Sequence, residues 1–402
     1  MSESDTILAT DFWDRNGEAQ QLEAFPESFQ HWQLGEPLVD DVQQAVLQKL
    51  ERLLRKEVVR TELRAVERNL VLEVEYEDGQ EDILRMPKAA AFGSNGEITQ
   101  DLALFTREVG LLQWLKANVA SLPVPRVLAV LRHSDSEPYT FALIEKMPGD
   151  CLMNVFGELP FDIKESIVRN TASFMLELNN LVVPQRIGTT LIRDDIVDLV
   201  PLVSLALGLR PSCVFDTLEE YMHSLVQAKR DSDRISSDDP SRARANEVLD
   251  RLVTKLPSIF QRLSPSIYRR CTLSHDDLNE TNVLVGSDGR IAVVDWEFHS
   301  VRPVVLAAQY PCGCGAMALA THASVSERSG GLPVQRMRRD RAIYAEVMKS
   351  QNEDYWRALV DGELLRQIYE WLTDPHVDPG CAAMEEWMDE TFGSHSVVEV
   401  EG

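Results

Sequence analysis

The 402-residue sequence has little of the composition typical of a secretory signal or of a membrane span, and we expect neither. Its first residues, MSESDTILATDFWDRNGE, are acidic and contain neither the basic part nor the apolar part of a secretory signal. The longest apolar passage, Ile196 to Leu209, carries Asp198 and Pro201 and is too short to cross a bilayer. We therefore expect a cytoplasmic protein with no membrane partner.

Positive charge is also scarce. Lys and Arg number 40 against 65 Asp and Glu, which gives a formal net charge of −25. Nucleic acids and anionic membranes are bound through basic patches, so this balance argues against both as partners. Hydrophobic residues make up 44% of the chain, as in soluble globular proteins, and the length suffices for two lobes.

The six cysteines are scattered, and no C-x-x-C pair occurs. Cys312 and Cys314 are separated by a single glycine, which is too close for the usual zinc-binding pair. This cysteine usage favours a reduced protein with buried thiols over a disulfide-rich or zinc-binding one.

A β-hairpin is the strongest local signal that is present. Two apolar, β-branched runs, Val283–Val285 and Ile291–Val294, flank the letters Ser-Asp-Gly-Arg. An Asp-Gly pair between such runs typically forms a two-residue turn. Antiparallel pairing from that turn predicts that Asn282 lies opposite Asp295 at the open end of the hairpin.

This predicted register indicates a metal site. Directly opposed residues have Cβ atoms roughly 4.5–5.5 Å apart, so an amide oxygen and a carboxylate can share one hard cation. Mg²⁺ takes few protein ligands and completes its shell with water and phosphate oxygens. Asn282 and Asp295 are therefore the predicted Mg²⁺ ligands, and Asp277, five residues before Asn282, adds a nearby carboxylate.

The same stretch contains two spaced motifs. His275, Asp277 and Asn282 form H-x-D-x-x-x-x-N, and Asp295 and Glu297 form D-x-E. These motifs resemble the catalytic and metal-binding segment of the aminoglycoside phosphotransferase and choline kinase-like family. The letters HDDL, NVLV and DWE are closest to the fungal branch of that family.

The resemblance implies a protein kinase-like, two-lobed α+β fold with a small β-rich N-lobe and a larger helical C-lobe. It also implies transfer of the γ-phosphoryl group of ATP to a hydroxyl of a small molecule. In that reaction Asp277 is the catalytic base, and His275 supports its loop through hydrogen bonds. Asn282 and Asp295 hold Mg²⁺, and Glu297 lies near the metal or the acceptor. These roles fit a reaction that depends mostly on positioning and on neutralising phosphate charge.

Two further residues are assigned by the same resemblance. Alternating apolar residues from Leu70 to Tyr76 and the run Ile83–Met86 predict two strands joined by an Asp-Gly turn. Arg85 takes the family's phosphate-contacting position, where a guanidinium can fork onto phosphate oxygens. Glu108, on a helix predicted from Thr99 to Lys116, would pair with Arg85. The alternatives are a solvated strand arginine and a surface glutamate.

The segment that follows the predicted strand Thr140–Ile144 resembles the linker between the lobes. Within it, Glu145 and Met147 would bind the adenine through their backbone groups. The phosphate-covering turn is expected at 64–69, and it contains no glycine. Without glycine the backbone cannot approach phosphates closely or adopt positive φ freely, so side chains of Arg64, Arg68 or Asn69 would have to compensate.

The chain is divided by these signals into four parts. The predicted parts are an N-terminal extension (1–40), an N-lobe (41–147), a helical C-lobe with the catalytic loop and metal-binding hairpin (148–384), and an acidic tail (385–402) of disordered composition. Helical spacing of apolar residues predicts C-lobe helices at 163–181, 214–228, 245–263, 341–349 and 355–372.

Other functions remain open. The glycine-free turn favours a catalytically weak or inactive kinase-like protein that binds a nucleotide or a partner, whereas retention of Asp277, Asn282 and Asp295 favours an active enzyme. A protein kinase fits poorly because H-R-D, D-F-G and A-P-E are missing. A metal-dependent hydrolase would need more ligands than this segment offers. The sequence leaves the acceptor, the choice between ATP and GTP, and the oligomeric state undetermined.

Overall fold

The fold is mixed, with strands concentrated before residue 152 and helices after it. The computed structural model describes residues 12–13, 19–20, 47–48, 50–51, 54–66, 69–87, 100–131, 141–203, 213–231, 240–310, 332–373, 378 and 380–392. The predicted N-terminal extension lies almost wholly outside these residues, as does Arg68.

Fourteen strands are present in these residues: β1 Phe12–Trp13, β2 Ala19–Gln20, β3 Val58–Val66, β4 Asn69–Tyr76, β5 Glu81–Pro87, β6 Val127–Leu131, β7 Phe141–Glu145, β8 Asp150–Cys151, β9 Thr189–Arg193, β10 Ile196–Val200, β11 Cys271–His275, β12 Val283–Val285, β13 Ile291–Val293 and β14 His299–Pro303. The helices with complete bounds are α1 Gln100–Asn118, α2 Leu152–Val155, α3 Phe161–Asn180, α4 Leu218–Arg230, α5 Pro240–Phe260, α6 Pro265–Tyr268, α7 Val304–Ala307, α8 Leu332–Gln351, α9 Glu353–Asp361, α10 Glu363–Thr373 and α11 Ala382–Phe392. Among the described helices, none is long and apolar enough to cross a membrane.

The chain forms two compact units. The first consists of Met1–Val155, Ile192–Asp195 and Thr281–Glu297, and the second consists of Phe156–Leu191, Ile196–Glu280 and Phe298–Gly402. The hairpin β12–β13 therefore belongs to the first unit, whereas the sequence analysis places it in the C-lobe.

The first unit is built on a seven-stranded antiparallel sheet in the order β2-β1-β6-β7-β5-β4-β3. The predicted alternation in β4 is confirmed, since Leu70, Leu72, Val74 and Tyr76 are buried in one core cluster with Leu84 of β5. Because side chains alternate between the faces of a strand, Arg85 lies on the opposite face. A three-stranded sheet, β13-β12-β8, completes this unit.

The second unit is mostly helical. The long helix α3 buries Ile167, Val168 and Phe174 and packs against β11 and α8. Strand β11 pairs with β14 in an antiparallel ladder whose ten residues are all buried. This ladder positions the loop after His275. The predicted α+β class, with a β-rich N-terminal part and a helical C-terminal part, is confirmed.

Two predictions about the C-terminal region are wrong. The helix predicted over 355–372 is two helices, α9 and α10, which are separated at Gly362. A Cβ at Gly362 would lie 2.5 Å from the Ala358 carbonyl oxygen and 2.6 Å from an Arg366 nitrogen, which explains the glycine. The region from Glu385, predicted as a disordered tail, begins inside helix α11, where Met384 and Met388 are buried.

Candidate active site

The predicted site residues divide between the two units. His275 and Asp277 lie in the second unit, whereas Arg85, Glu108, Glu145, Met147, Asn282 and Asp295 lie in the first.

His275 ends strand β11 and is 2% exposed. Its Nδ1 accepts a hydrogen bond from the backbone N–H of Asp277 at 3.2 Å, and the Asp276 N–H donates to the Phe298 carbonyl at 3.0 Å. The expected hydrogen bond between His275 and its loop is therefore confirmed, with His275 as the acceptor. These two bonds turn the chain immediately beyond the buried ladder and place Asp277 at the start of the loop.

The Asp277 carboxylate has a side-chain partner that the sequence analysis missed. The Asn279 amide nitrogen donates to Asp277 Oδ1 at 2.8 Å, and the Asn279 backbone N–H donates to the Asp277 carbonyl at 2.9 Å. Asp followed two residues later by a donor is the pattern of a local turn, so the spacing carried a weak signal. The result is a carboxylate held in one orientation.

The hairpin is present, but its predicted register is wrong by one residue. Val283 pairs with Val293 and Val285 with Ile291, so the backbone of Asn282 meets Val294, whose N–H donates to the Asn282 carbonyl at 3.0 Å. The loop contains three residues, with Gly289 at φ +78°. This is the three-residue hairpin loop that ends in a left-handed glycine.

Asp295 consequently lies one residue beyond the pairing position that we predicted. Its backbone is left-handed, with φ +63°, and its side chain is 38% exposed. Asp295 Oδ1 accepts a hydrogen bond from Arg85 Nη2 at 3.0 Å. A left-handed residue after a strand redirects its side chain, so the carboxylate is presented by this turn and not by the ladder.

Asn282 and Asp295 fit a Mg²⁺ site in the chemistry of their donors, since an amide oxygen and a carboxylate are hard oxygen ligands. Asn282 is 7% exposed, and Asp295 uses one carboxylate oxygen for Arg85. No group of three or more His, Cys, Asp or Glu side chains in the described residues could hold a metal ion. Few protein ligands are characteristic of Mg²⁺, which retains water and phosphate oxygens.

Arg85 is the centre of a charged cluster in the first unit. Its Nη1 donates to Glu108 Oε1 at 2.6 Å, and its Nη2 lies 3.0 Å from Asp295 and 3.8 Å from Glu297. The predicted pairing of Arg85 with Glu108 is confirmed. Glu108 Oε1 also accepts the Trp296 backbone N–H at 3.1 Å, which links helix α1 to the turn that carries Asp295.

The charges in this cluster are strongly coupled. Burial, together with the charges of Asp295 and Glu297, raises the pKa of Glu108 to about 7 against the opposing effect of Arg85. Burial by itself lowers the pKa of Arg85, but the three carboxylates outweigh burial and raise that pKa overall. Arg85 therefore remains a cation.

The predicted phosphate-covering turn is short and its side chains are engaged elsewhere. Strand β3 ends at Val66 and strand β4 begins at Asn69, so only two residues separate them. Arg64 Nε donates to Glu73 Oε2 at 2.9 Å, and Asn69 Nδ2 donates to Glu297 Oε2 at 3.0 Å. Asn69 thereby joins the cluster around Arg85, a contact across 228 residues that no local pattern indicates.

The predicted linker residues form hydrogen bonds and ion pairs that do not bear on adenine binding. The Glu145 backbone N–H donates to the Arg126 carbonyl at 2.8 Å, and Glu145 Oε2 accepts the Arg126 N–H at 3.2 Å. Lys146 forms ion pairs with Glu73 at 2.8 Å and Glu81 at 2.6 Å. Met147 follows and is half-buried. Adenine binding by Glu145 and Met147 stays a prediction.

Comparison with known proteins places the chain in a family. Residues 59–306 match the family model described as the phosphotransferase enzyme family, and the chain belongs to that family. The predicted membership of the aminoglycoside phosphotransferase family is thereby confirmed, and the fold is one that supports kinase-like phosphoryl transfer to small molecules.

The chain is 36% identical over 394 residues to clavilactone A biosynthesis cluster protein Y of Ampulloclitocybe clavipes, with 94% of each chain covered. Among solved structures, it is similar to aminoglycoside phosphotransferase APH(4)-Ia at 16% identity, with coverage of 88% and 95% and a TM-score of 0.49. It is also similar to a GDP complex of wild-type aminoglycoside 2'-phosphotransferase-IIIa at 16% identity, with coverage of 84% and 91% and a TM-score of 0.45.

Proposed function

We propose that this protein transfers the γ-phosphoryl group of ATP to a hydroxyl of a small molecule. One observation carries the proposal: a buried guanidinium, Arg85, is held between the carboxylates of Glu108 and Asp295. Phosphoryl transfer requires a fixed cation at the phosphates and oxygen ligands for a metal ion. Arg85 offers the first and Asp295 the second, 3.0 Å apart.

In this proposal Asn282 and Asp295 bind Mg²⁺. When bound, the ion neutralises phosphate charge and orients the transferred group. Asp295 Oδ1 contacts Arg85, and the second carboxylate oxygen of Asp295 would be the one to bind the ion. Glu108 accepts from the other terminal nitrogen of Arg85 and so fixes the guanidinium beside Asp295.

Asp277 is the proposed catalytic base, which accepts the acceptor's hydroxyl proton. The Asn279 amide fixes the direction of its carboxylate, and His275 fixes its backbone. Correct orientation of such a group is worth much of the rate enhancement in a reaction with little covalent chemistry.

The proposal extends to the nucleotide and the acceptor. Glu145 and Met147 would contact the adenine, and GTP is tested beside ATP because the sequence does not distinguish the two. The 36% identical relative is named for a biosynthesis cluster, so we propose a hydroxylated intermediate of small-molecule biosynthesis as the acceptor.

A specific observation favours the second candidate, a nucleotide-binding or partner-binding protein without turnover. Only Glu67 and Arg68 separate β3 from β4 in the sequence, and neither is a glycine. Arg64 and Asn69, which could replace backbone contacts to phosphate, are bound to Glu73 and Glu297.

Measurements of nucleotide binding and of turnover distinguish the two candidate functions. Melting temperature is measured with ATP or GTP, with and without Mg²⁺, for the wild type and Asp295→Ala. A nucleotide at about a hundred times its dissociation constant adds roughly 2.7 kcal/mol to the free energy of unfolding. The proposal expects a Mg²⁺-dependent increase that the variant loses. A shift without release of phosphate from MgATP supports the binding protein, and a shift that Asp295→Ala retains refutes the metal assignment.

A further inference from the structure

The loop that carries Asp277 is joined to strand β14 by a buried ion pair. The Asp276 side chain is 2% exposed, and its Oδ1 contacts the guanidinium of Arg302. Ser300 Oγ donates to the same oxygen at 3.0 Å and accepts from Arg302 Nε at 2.9 Å. Three side chains thus form a closed ring of hydrogen bonds between the loop and the strand.

Arg302 is itself held firmly. Its side chain is 11% exposed, and its guanidinium lies 5.7 Å from the centre of the Tyr369 ring on helix α10. The hydroxyl of the buried Tyr221 lies 3.4 Å from the Tyr369 hydroxyl. Asp276 is therefore anchored to a mostly buried residue that lies beside the Tyr369 ring of helix α10.

Stability is a poor explanation for this arrangement. Removing two charges from water carries a large desolvation cost, and a well-packed apolar pair is often as stable or more stable. Asp276 also leaves its second oxygen, Oδ2, buried without a hydrogen-bond partner among the described residues. What an ion pair adds over an apolar pair is a defined direction, because a fork of donors fixes where the carboxylate points.

We infer that Asp276 and Arg302 are positioning residues that fix the loop on which Asp277 lies. Asp276 is held twice, through its side chain to Arg302 of β14 and through its N–H to the carbonyl of Phe298, the residue before β14, at 3.0 Å. Because the side chain and the N–H of Asp276 are both held, the position of the next residue, Asp277, is restricted. The inference rests on the proposed function, since it takes Asp277 as the base.

The test separates positioning from folding. Asp276→Leu combined with Arg302→Met removes both charges together and leaves no unpaired buried ion. Lys229→Met is the matched control: Lys229 is a buried cation of the same unit, 4.4 Å from the Trp371 ring on the same helix α10, but it does not touch the loop. Ser300→Ala is a milder variant that removes the bridging hydroxyl without exposing a charge.

The first readout is amide hydrogen exchange of residues 277–280, which requires no turnover. We expect exchange about tenfold faster in the double variant and faster in Ser300→Ala, with Lys229→Met unchanged, as local opening becomes easier. Unchanged exchange in a folded double variant overturns the inference. If the double variant does not fold, Ser300→Ala decides in the same way.

The second readout is phosphate release from MgATP with water as acceptor. We expect kcat to fall about 100-fold in the double variant while KM for MgATP stays within about twofold, because a small misplacement of the base affects the transition state alone. Equal losses in the control, or an unchanged kcat, overturn the inference. A wild type without phosphate release counts against the proposed function, while the exchange result still decides the positioning role.

Discussion

The Arg85 guanidinium and the Asp295 carboxylate lie 3.0 Å apart, although 210 residues separate them in the sequence. Glu108 and Glu297 lie within 3.8 Å of the same guanidinium. One cation is thus surrounded by three carboxylates, so the cluster carries an excess of negative charge. Such an excess attracts a second cation, which agrees with the proposed Mg²⁺.

The first prediction concerns the geometry of Arg85. Arg85→Lys keeps the charge but loses the fork that reaches Glu108 and Asp295 together. We expect ATP affinity in the presence of Mg²⁺ to fall about tenfold, since one charge-assisted hydrogen bond is worth roughly 1.5–3 kcal/mol. Titration calorimetry measures the change. Arg60→Lys, at an exposed arginine of the same sheet, is the control and should bind ATP like the wild type.

The second prediction concerns pH. Burial raises the pKa of Glu108 from 4.5 to about 7, so the folded protein binds a proton that the unfolded chain releases between these values. The contribution of this carboxyl to the free energy of unfolding is therefore complete below pH 4.5 and is lost as pH rises to about 7. Urea unfolding of Glu108→Gln should show a flatter pH dependence over that interval than the wild type.

Its control is Glu57→Gln, which removes one negative charge at an exposed position of the same unit. If both variants change the pH dependence equally, burial of Glu108 is not the cause and the prediction is wrong.

The third prediction concerns Gly149, where the chain passes close to the hairpin. Gly149 has φ +112°, and a Cβ there would lie 2.6 Å from the Val285 carbonyl carbon. Gly149→Ala should lower the free energy of unfolding by about 1–3 kcal/mol from backbone strain alone. Gly157→Ala is the control, because nothing lies within 4 Å of its added Cβ. Similar stability of the two variants would contradict this close approach.

The fourth prediction concerns Asn279, which holds the Asp277 carboxylate at 2.8 Å. Asn279→Ala should lower kcat for phosphate release from MgATP about tenfold and leave KM for MgATP nearly unchanged, because a freely rotating carboxylate is less often aligned. Asn170→Ala, on helix α3 of the same unit, is the control. A parallel loss in both variants, or a change confined to KM, would assign Asn279 another role.

Strands β4, β5, β7, β12 and β13 and most of the helices were predictable because their signals are local. Alternation from Leu70 to Tyr76 placed β4 correctly, and the pairing of Arg85 with Glu108 followed from the family resemblance. The hairpin register was not predictable from the Asp-Gly pair. The Asp288 carboxylate accepts the Arg290 N–H at 3.0 Å, and this local bond stabilises a three-residue loop where the sequence suggested two.

Contacts between distant segments are not indicated by local sequence patterns. Asp276 meets Arg302 through the pairing of β11 with β14, and Asn69 meets Glu297 across 228 residues; a single sequence specifies neither contact. The composition after Glu385 suggested disorder, yet Met384 and Met388, four residues apart, bury one side of helix α11. The two buried apolar side chains stabilise the helix despite the acidic residues around them.

The first unit is discontinuous, since Thr281–Glu297 completes a body that begins at Met1. A ribosome must therefore synthesise the intervening helical segment before the turn with Asp295 can join Arg85. Until residue 297 emerges, the nascent chain contains Arg85 and Glu108 without their later partners, and the edge of β8 without β12. A polypeptide that stops at residue 155 should thus expose an unfinished sheet, which makes it a natural client for chaperones during translation.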